Sequence, residues 1–179
     1  MLQRFLSGRL YEIALHRAQE CSFRSLKLFF PVICSAATLA HAISDYQSLI
    51  PWLRMRDRRR IVVPWFARWF TLKTRGELAL VVTTIAGGCI AQKSTSGWGR
   101  QMYLHGALFA SWHLIVALDI GRCARKIVHD RTDTRGALRL FLRYHAFRIL
   151  TADVPAFFCF LEAFRHATTS MIYRTFTIR

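Results

Sequence analysis

Leu28–Leu53, LFFPVICSAATLAHAISDYQSLIPWL, contains no lysine or arginine and runs directly into Arg54, Arg56, Arg58, Arg59 and Arg60. Its first 17 residues, Leu28 to Ser44, carry no formal charge when His41 is neutral. Extended through Asp45 it reaches the length of a membrane-crossing helix, roughly 20 residues at ~1.5 Å each. Apolar side chains followed by a dense arginine block is the pattern of a span leaving lipid at a charged headgroup layer. Read instead as the core helix of a soluble domain, the same stretch would give the arginines no lipid to rest on.

Working outward, the whole chain repeats this alternation. Of its 179 residues 53% are hydrophobic and 20% charged, and the mean hydropathy is +0.22, which is apolar for a soluble domain. Twenty-six basic residues stand against 10 acidic ones, a net charge of +16. Such a charge suits nucleic acid or anionic lipid. Because the basic residues fall in blocks between apolar segments, lipid is the expected partner and nucleic acid is not.

The expected fold is all-α: a small polytopic membrane protein of about four transmembrane helices, with an N-terminal amphipathic helix and interfacial helical loops. Residues 1–27 place Leu2, Phe5, Leu6, Leu10, Ile13 and Ala14 at helical spacing and form the amphipathic interfacial helix. Residues 28–164 form the membrane domain, with spans near 28–50, 76–92, 101–121 and 147–164, and 165–179 a short tail. Between the first two spans, residues 61–72 are apolar and aromatic but too short to cross. Pro64 suits a helix start there, and Trp65 and Trp69 suit headgroup depth. The β-branched run Val81–Ile85 would suit a strand, but no second strand is predicted to pair with it, so it is read as helix. Gly87 and Gly88 are expected to admit a neighbouring helix at close range. Ser94, Ser96, Gly97 and Gly99 mark a turn. Asp133, Thr134 and Arg135 begin a helix with Leu138, Phe141 and Leu142 on one face.

Charge sets the expected orientation. The connections 54–75 and 122–148 carry eight basic residues each, against 10 in residues 1–27, 93–100 and 165–179 together. The basic connections therefore belong on the matrix side of a mitochondrial inner membrane, or the cytosolic side of a plasma membrane. Arg54, Arg58, Arg59, Arg60, Trp65, Trp69, Arg122 and Arg125 are the expected lipid-binding residues, suited to anionic phospholipid including cardiolipin.

Chemistry-bearing motifs are few. The five cysteines are scattered singly, without CxxC or close Cys–His spacing, and support neither disulfides nor structural zinc. Nucleotide-binding, nucleophile-elbow and HExxH patterns are absent. Asp45, Glu77, Asp119 and Asp153 lie within or beside apolar segments, near Arg54, Arg75, Arg122 and Arg148, and are read first as charge pairs near the interface. Asp153 must face protein, or its segment must be shallow. His41 and His113 fall near mid-membrane. As an alternative they serve as haem ligands, or join Asp45 around a transition metal. The leading expectation is a non-catalytic accessory subunit of a larger membrane complex, of the respiratory-chain or ATP synthase kind, packed against larger integral membrane subunits. The alternative is a small membrane-embedded redox enzyme or a haem- or metal-binding protein.

Overall fold

A computed structural model describes the backbone of residues 2–54, 58–129 and 133–177, and the side chains of 23, 25–54, 60–129 and 133–170. Among the described residues the only regular secondary structure is helical: α1 Leu2–Leu49, α2 Arg58–Lys93, α3 Gly97–His129, α4 Thr134–Arg148 and α5 Val154–Thr177. A 3₁₀ turn, Ile50–Leu53, follows α1, and a π turn, Ile149–Asp153, joins α4 to α5 without a break. The helices run up and down, α3 packing on α2, α4 and α5 while α1 packs on α2 and α5.

Among the described residues three helical stretches are long and apolar enough to cross a membrane: Ser25–Leu53, Arg60–Lys93 and Gly97–His129. This corrects the expectation of four. The proposed fourth span, 147–164, falls on the π turn and α5, where Arg148, Asp153 and Glu162 interrupt the apolar sequence. It nevertheless packs as a fourth column against α1 and α3.

The connections also prove shorter than the charge blocks suggested. Residues 61–72 are not a separate interfacial helix: α2 continues through Pro64 and Gly76 to Lys93. Straight-chain Arg68, Lys73, Arg75 and Glu77 favour helix, and nothing lies within 4 Å of a Cβ placed at Gly76. The helices on either side accordingly reach far into the basic blocks, with α2 beginning at Arg58, α3 ending at His129 and α4 beginning at Thr134. From Leu2 onward the N-terminal segment belongs to the same helix as the first span, and α5 runs on to Thr177 in the expected tail. Most side chains of 1–27 lie outside the described residues.

Local sequence accounts for the ends and bends. Asp133 caps α4, its carboxylate accepting from Gly136 N at 2.8 Å. Gly97 opens α3 at φ 57°, a left-handed conformation that suits glycine. Pro155 lacks an N–H and would crowd the carbonyl one turn back. Just before it the ladder widens, Val154 N bonding Ile149 O five residues earlier. Pro31 sits inside α1, and one turn before it the Tyr103 hydroxyl donates to Leu28 O at 2.8 Å. That bond ties α3 to the first span where proline loosens the helical ladder.

Two apolar clusters hold the bundle. One, at the end bearing the basic connections, gathers Leu49, Val62, Phe66, Val116, Ile120, Ile127, Leu138 and Phe141. The other gathers Leu28, Val32, Ala91, Tyr103, Ala107, Ala156, Phe160 and Ala163. At its centre the Phe160 ring lies between Gly88 and Gly106, whose added Cβ atoms would come 2.8 Å and 2.7 Å from it. The close approach expected at Gly87 and Gly88 is present, with Phe30 against the former and Phe160 against the latter.

Candidate functional site: a polar layer inside the bundle

Between the two clusters each column contributes ionisable side chains to one layer. Asp45 comes from α1, Lys73 and Glu77 from α2, His113 from α3, His145 and Arg148 from α4, and Asp153 from the π turn. Asp45, His113, His145, Arg148 and Asp153 are all at most 5% exposed. Buried charges in a medium of low dielectric must be paired and hydrogen-bonded to be tolerated.

Arg148 is the hub. Its Nη1 lies 2.5 Å from Glu77 Oε1 and its Nε 3.3 Å from Asp153 Oδ2. Asp153 Oδ1 accepts from His113 Nδ1 at 2.9 Å, and His113 Nε2 faces Glu77 Oε1 at 3.7 Å. Lys73 pairs with Asp45 and also lies over the Trp69 ring, 4.8 Å from its centroid. His145 Nε2 donates to Ala42 O at 3.1 Å and lies 3.3 Å from Asp45 Oδ2. Its ring is stacked between Tyr46 and Phe141, at centroid separations of 5.9 Å and 6.0 Å. Tyr46 in turn donates to Leu142 O at 2.8 Å. These bonds join all four columns.

The π turn is what directs Asp153 into this layer. Insertion of an extra residue per turn shifts the helix face, and such bulges recur at functional sites. Asp153 therefore faces protein, as its charge requires.

The residues singled out from sequence divide between this layer and the surface. His41 sits 3.7 Å from Asp45, on the face that helical spacing predicts, but its side chain is 41% exposed. His113 pairs instead with Asp153 and Glu77, so the structure splits the suggested set His41, Asp45 and His113 into two pairings. Among the described residues no three His, Cys, Asp or Glu side chains gather as a metal site. His105 is exposed on α3. Of the four carboxylates expected to pair near the interface, Asp119 does so, 2.7 Å from Arg122 on the surface. The other three pair inside the bundle.

Arg54, Arg60, Arg122 and Arg125 are exposed around the end formed by the last turns of α1 and α3 and the first turns of α2 and α4. Trp65 stacks between Trp52, at 4.8 Å, and Trp69, at 5.5 Å. The side chains of Arg58 and Arg59 lie outside the described residues. Sequence reading missed Lys73 and His145 as members of the layer. The i,i+4 spacing of Lys73 and Glu77 was the available signal.

No protein-family model, curated protein or solved structure matches this chain.

Two cavities bear on this arrangement. One of about 10 Å³ adjoins the layer and is lined by Ser35, Thr38, Thr84, His113 and Asp153 with Val81, Ala110 and Ala156. The other, about 430 Å³, opens on the outer face of α3 and α4 between Leu108, Trp112, Ile115 and Phe147. It is apolar except for Ser111 and Thr151. Ser111 donates its hydroxyl to Ala107 O at 2.8 Å, one turn back on its own helix.

Proposed function

We infer that the protein is a non-catalytic accessory subunit of a larger membrane-embedded complex. It packs apolar flanks against larger integral membrane subunits and holds anionic phospholipid at its arginine-rich end. The observation that carries this reading is the outer surface. Only 39%, 28% and 33% of the most apolar window in each of the three candidate spans is buried within the chain. Leu72, Leu108, Ile115, Leu118, Leu150 and Phe158 are each more than half exposed. Lipid or a partner subunit has to cover them. The ionisable groups of the polar layer are meanwhile spent on one another, and the cavity beside them has room for about one water molecule.

The mitochondrial inner membrane is the proposed location, with the arginine-rich end on the matrix side. Support comes from the exposed Arg54, Arg60, Arg122 and Arg125 gathered at that end and from the arginine-bearing N-terminal segment. Arg54, Arg60, Arg122 and Arg125 with the Trp65–Trp69 pair suit cardiolipin, whose phosphates take charge-assisted hydrogen bonds from guanidinium groups. Arg58 and Arg59 join them in sequence.

Native electrophoresis of gently solubilised membranes tests the reading. The chain should migrate with an assembly several times its own mass and carry phospholipid. Replacement of Arg54, Arg60, Arg122 and Arg125 by glutamate should strip the lipid and weaken the association. Migration as a lone, lipid-free chain would refute it.

A further inference from the structure

We propose that the apolar groove on the outer face of α3 and α4 seats an acyl chain of an anionic phospholipid, whose phosphate is held by Arg122, Lys126 and Arg143. This rests on the membrane reading above and names one lipid site within it. The groove's lining is hydrocarbon apart from two hydroxyls, and both hydroxyl protons are engaged on their own helices. Ser111 donates to Ala107 O and Thr151 to Phe147 O, each at 2.8 Å. An occupant meets no free donor there, so a polar ligand would lose its hydration without replacement. Leu108, Trp112, Ile115 and Phe147 are all exposed. A cavity of about 430 Å³ with such walls calls for hydrocarbon.

What continues the groove at one end names the occupant. Leu108, Ile115 and Arg122 follow one another at two-turn intervals and share a face of α3, with Lys126 one turn further on. On α4, Arg143 lies one turn before Phe147, toward the same end. All three cations are exposed, and the carboxylate beside them, Asp119, is paired with Arg122 at 2.7 Å. Lys126 and Arg143 form no ion pair among the described residues, which leaves two positive charges unmatched. Phosphate oxygens accept charge-assisted hydrogen bonds from such groups. Depth agrees with this. Arg100 and Arg122 stand ~33 Å apart along α3 at ~1.5 Å per residue, close to the thickness of a bilayer's hydrocarbon core. A phosphate at Arg122 therefore sets Ile115 ~10 Å and Leu108 ~21 Å beneath it, depths that an acyl chain passes on its way to the bilayer centre. An apolar partner helix laid in the groove would need an acid of its own at the level of Arg143. A phospholipid brings the phosphate with the chain.

The test is tryptophan fluorescence of the full chain reconstituted in phosphatidylcholine vesicles, with a minor share of phosphatidylglycerol brominated near the methyl ends of its acyl chains. Bromine quenches tryptophan at contact range, and the difference from Trp112→Phe isolates the groove. Quenching of Trp112 should report a local share of the brominated anionic lipid ~5-fold or more above its bulk share, the preference that one surface cation confers. Brominated phosphatidylcholine should quench only in proportion to its bulk share. Arg143→Gln with Lys126→Gln should bring the two lipids level, whereas Arg54→Gln with Arg60→Gln should leave the preference intact. Equal quenching by both lipids in the parent chain would overturn the proposal, as would a preference that survives the first pair of substitutions. A Trp112 that neither lipid reaches, because a second copy of the chain covers it, would overturn it too. Each of those results leaves the membrane reading standing. A chain that alkaline washing releases from the vesicles would overturn that reading and the site with it.

Discussion

Phe160 offers the most direct test of how this bundle is held together. Its ring is fully buried and touches helices on both sides, at Gly88 of α2 and Gly106 of α3. A Cβ at Gly106 would lie 2.7, 2.8 and 2.9 Å from three ring carbons, inside van der Waals contact for each. The ring cannot slide toward α2, because the same displacement closes on Gly88. Gly106→Ala must therefore push α3 and α5 apart, at a cost of about 1–3 kcal/mol for overpacking. For a chain of this size each kcal/mol corresponds to ~2–4 °C of melting temperature. Phe160→Leu alone should also destabilise, by leaving a void. Combined with Gly106→Ala, the smaller side chain gives the new methyl somewhere to go. The double variant should be more stable than the sum of the two single effects by at least ~0.5–1 kcal/mol, the size of coupling between residues in contact. Unfolding of the four proteins in one detergent, followed by tryptophan fluorescence, measures this. Additivity within ~0.5 kcal/mol, or a Gly106→Ala variant that melts like the parent, would refute the wedge.

Three further outcomes are expected. Arg148→Met leaves Glu77 and Asp153 without their guanidinium and should destabilise by about 3–5 kcal/mol, while adding Glu77→Gln and Asp153→Asn should recover much of the loss; denaturant titration in detergent measures both. Gly136→Ala drives a methyl into the Asp133 carboxylate that caps α4, and should cost about 1 kcal/mol and speed hydrogen exchange in the first turn of that helix. Ile43, 48% exposed on the outer face of α1, should tolerate leucine, whereas Ile43→Arg adds ~2.5–3.5 kcal/mol to the insertion of the span and should lower the fraction resisting alkaline extraction.

Helical class, the Asp133 cap, the buried face of Leu138, Phe141 and Leu142, and the closeness of Gly88 to a neighbour were all legible in the sequence. Each rests on local spacing or on one residue's stereochemistry. What escaped depended on pairings between distant parts of the chain. His113 and Asp153 are 40 residues apart, and nothing in either neighbourhood names the other. Lys73 was counted with the loop charges, because an arginine-rich run reads as a solvated connection. In fact α2 continues through it and turns Lys73 toward Asp45. Arg148 was read as an interfacial partner for the same reason. The π turn that swings Asp153 inward just before Pro155 likewise needed the packed bundle to define it.

The hub of the polar layer has a consequence for how the protein is made. In the membrane assembly proposed above, Lys73 and Glu77 enter the bilayer with the second helix, when only Asp45 has preceded them, and Arg148 emerges from the ribosome about 70 residues later. During that interval Glu77 sits in a nascent hairpin without its main counter-charge, and His113 arrives before Asp153. Synthesis halted before α4 would thus leave an unmatched carboxylate at membrane depth, a lesion visible to quality-control machinery that patrols the lipid phase. Completion of the last helix is what makes the earlier ones acceptable, and early stop codons should yield rapidly degraded fragments rather than stable partial bundles.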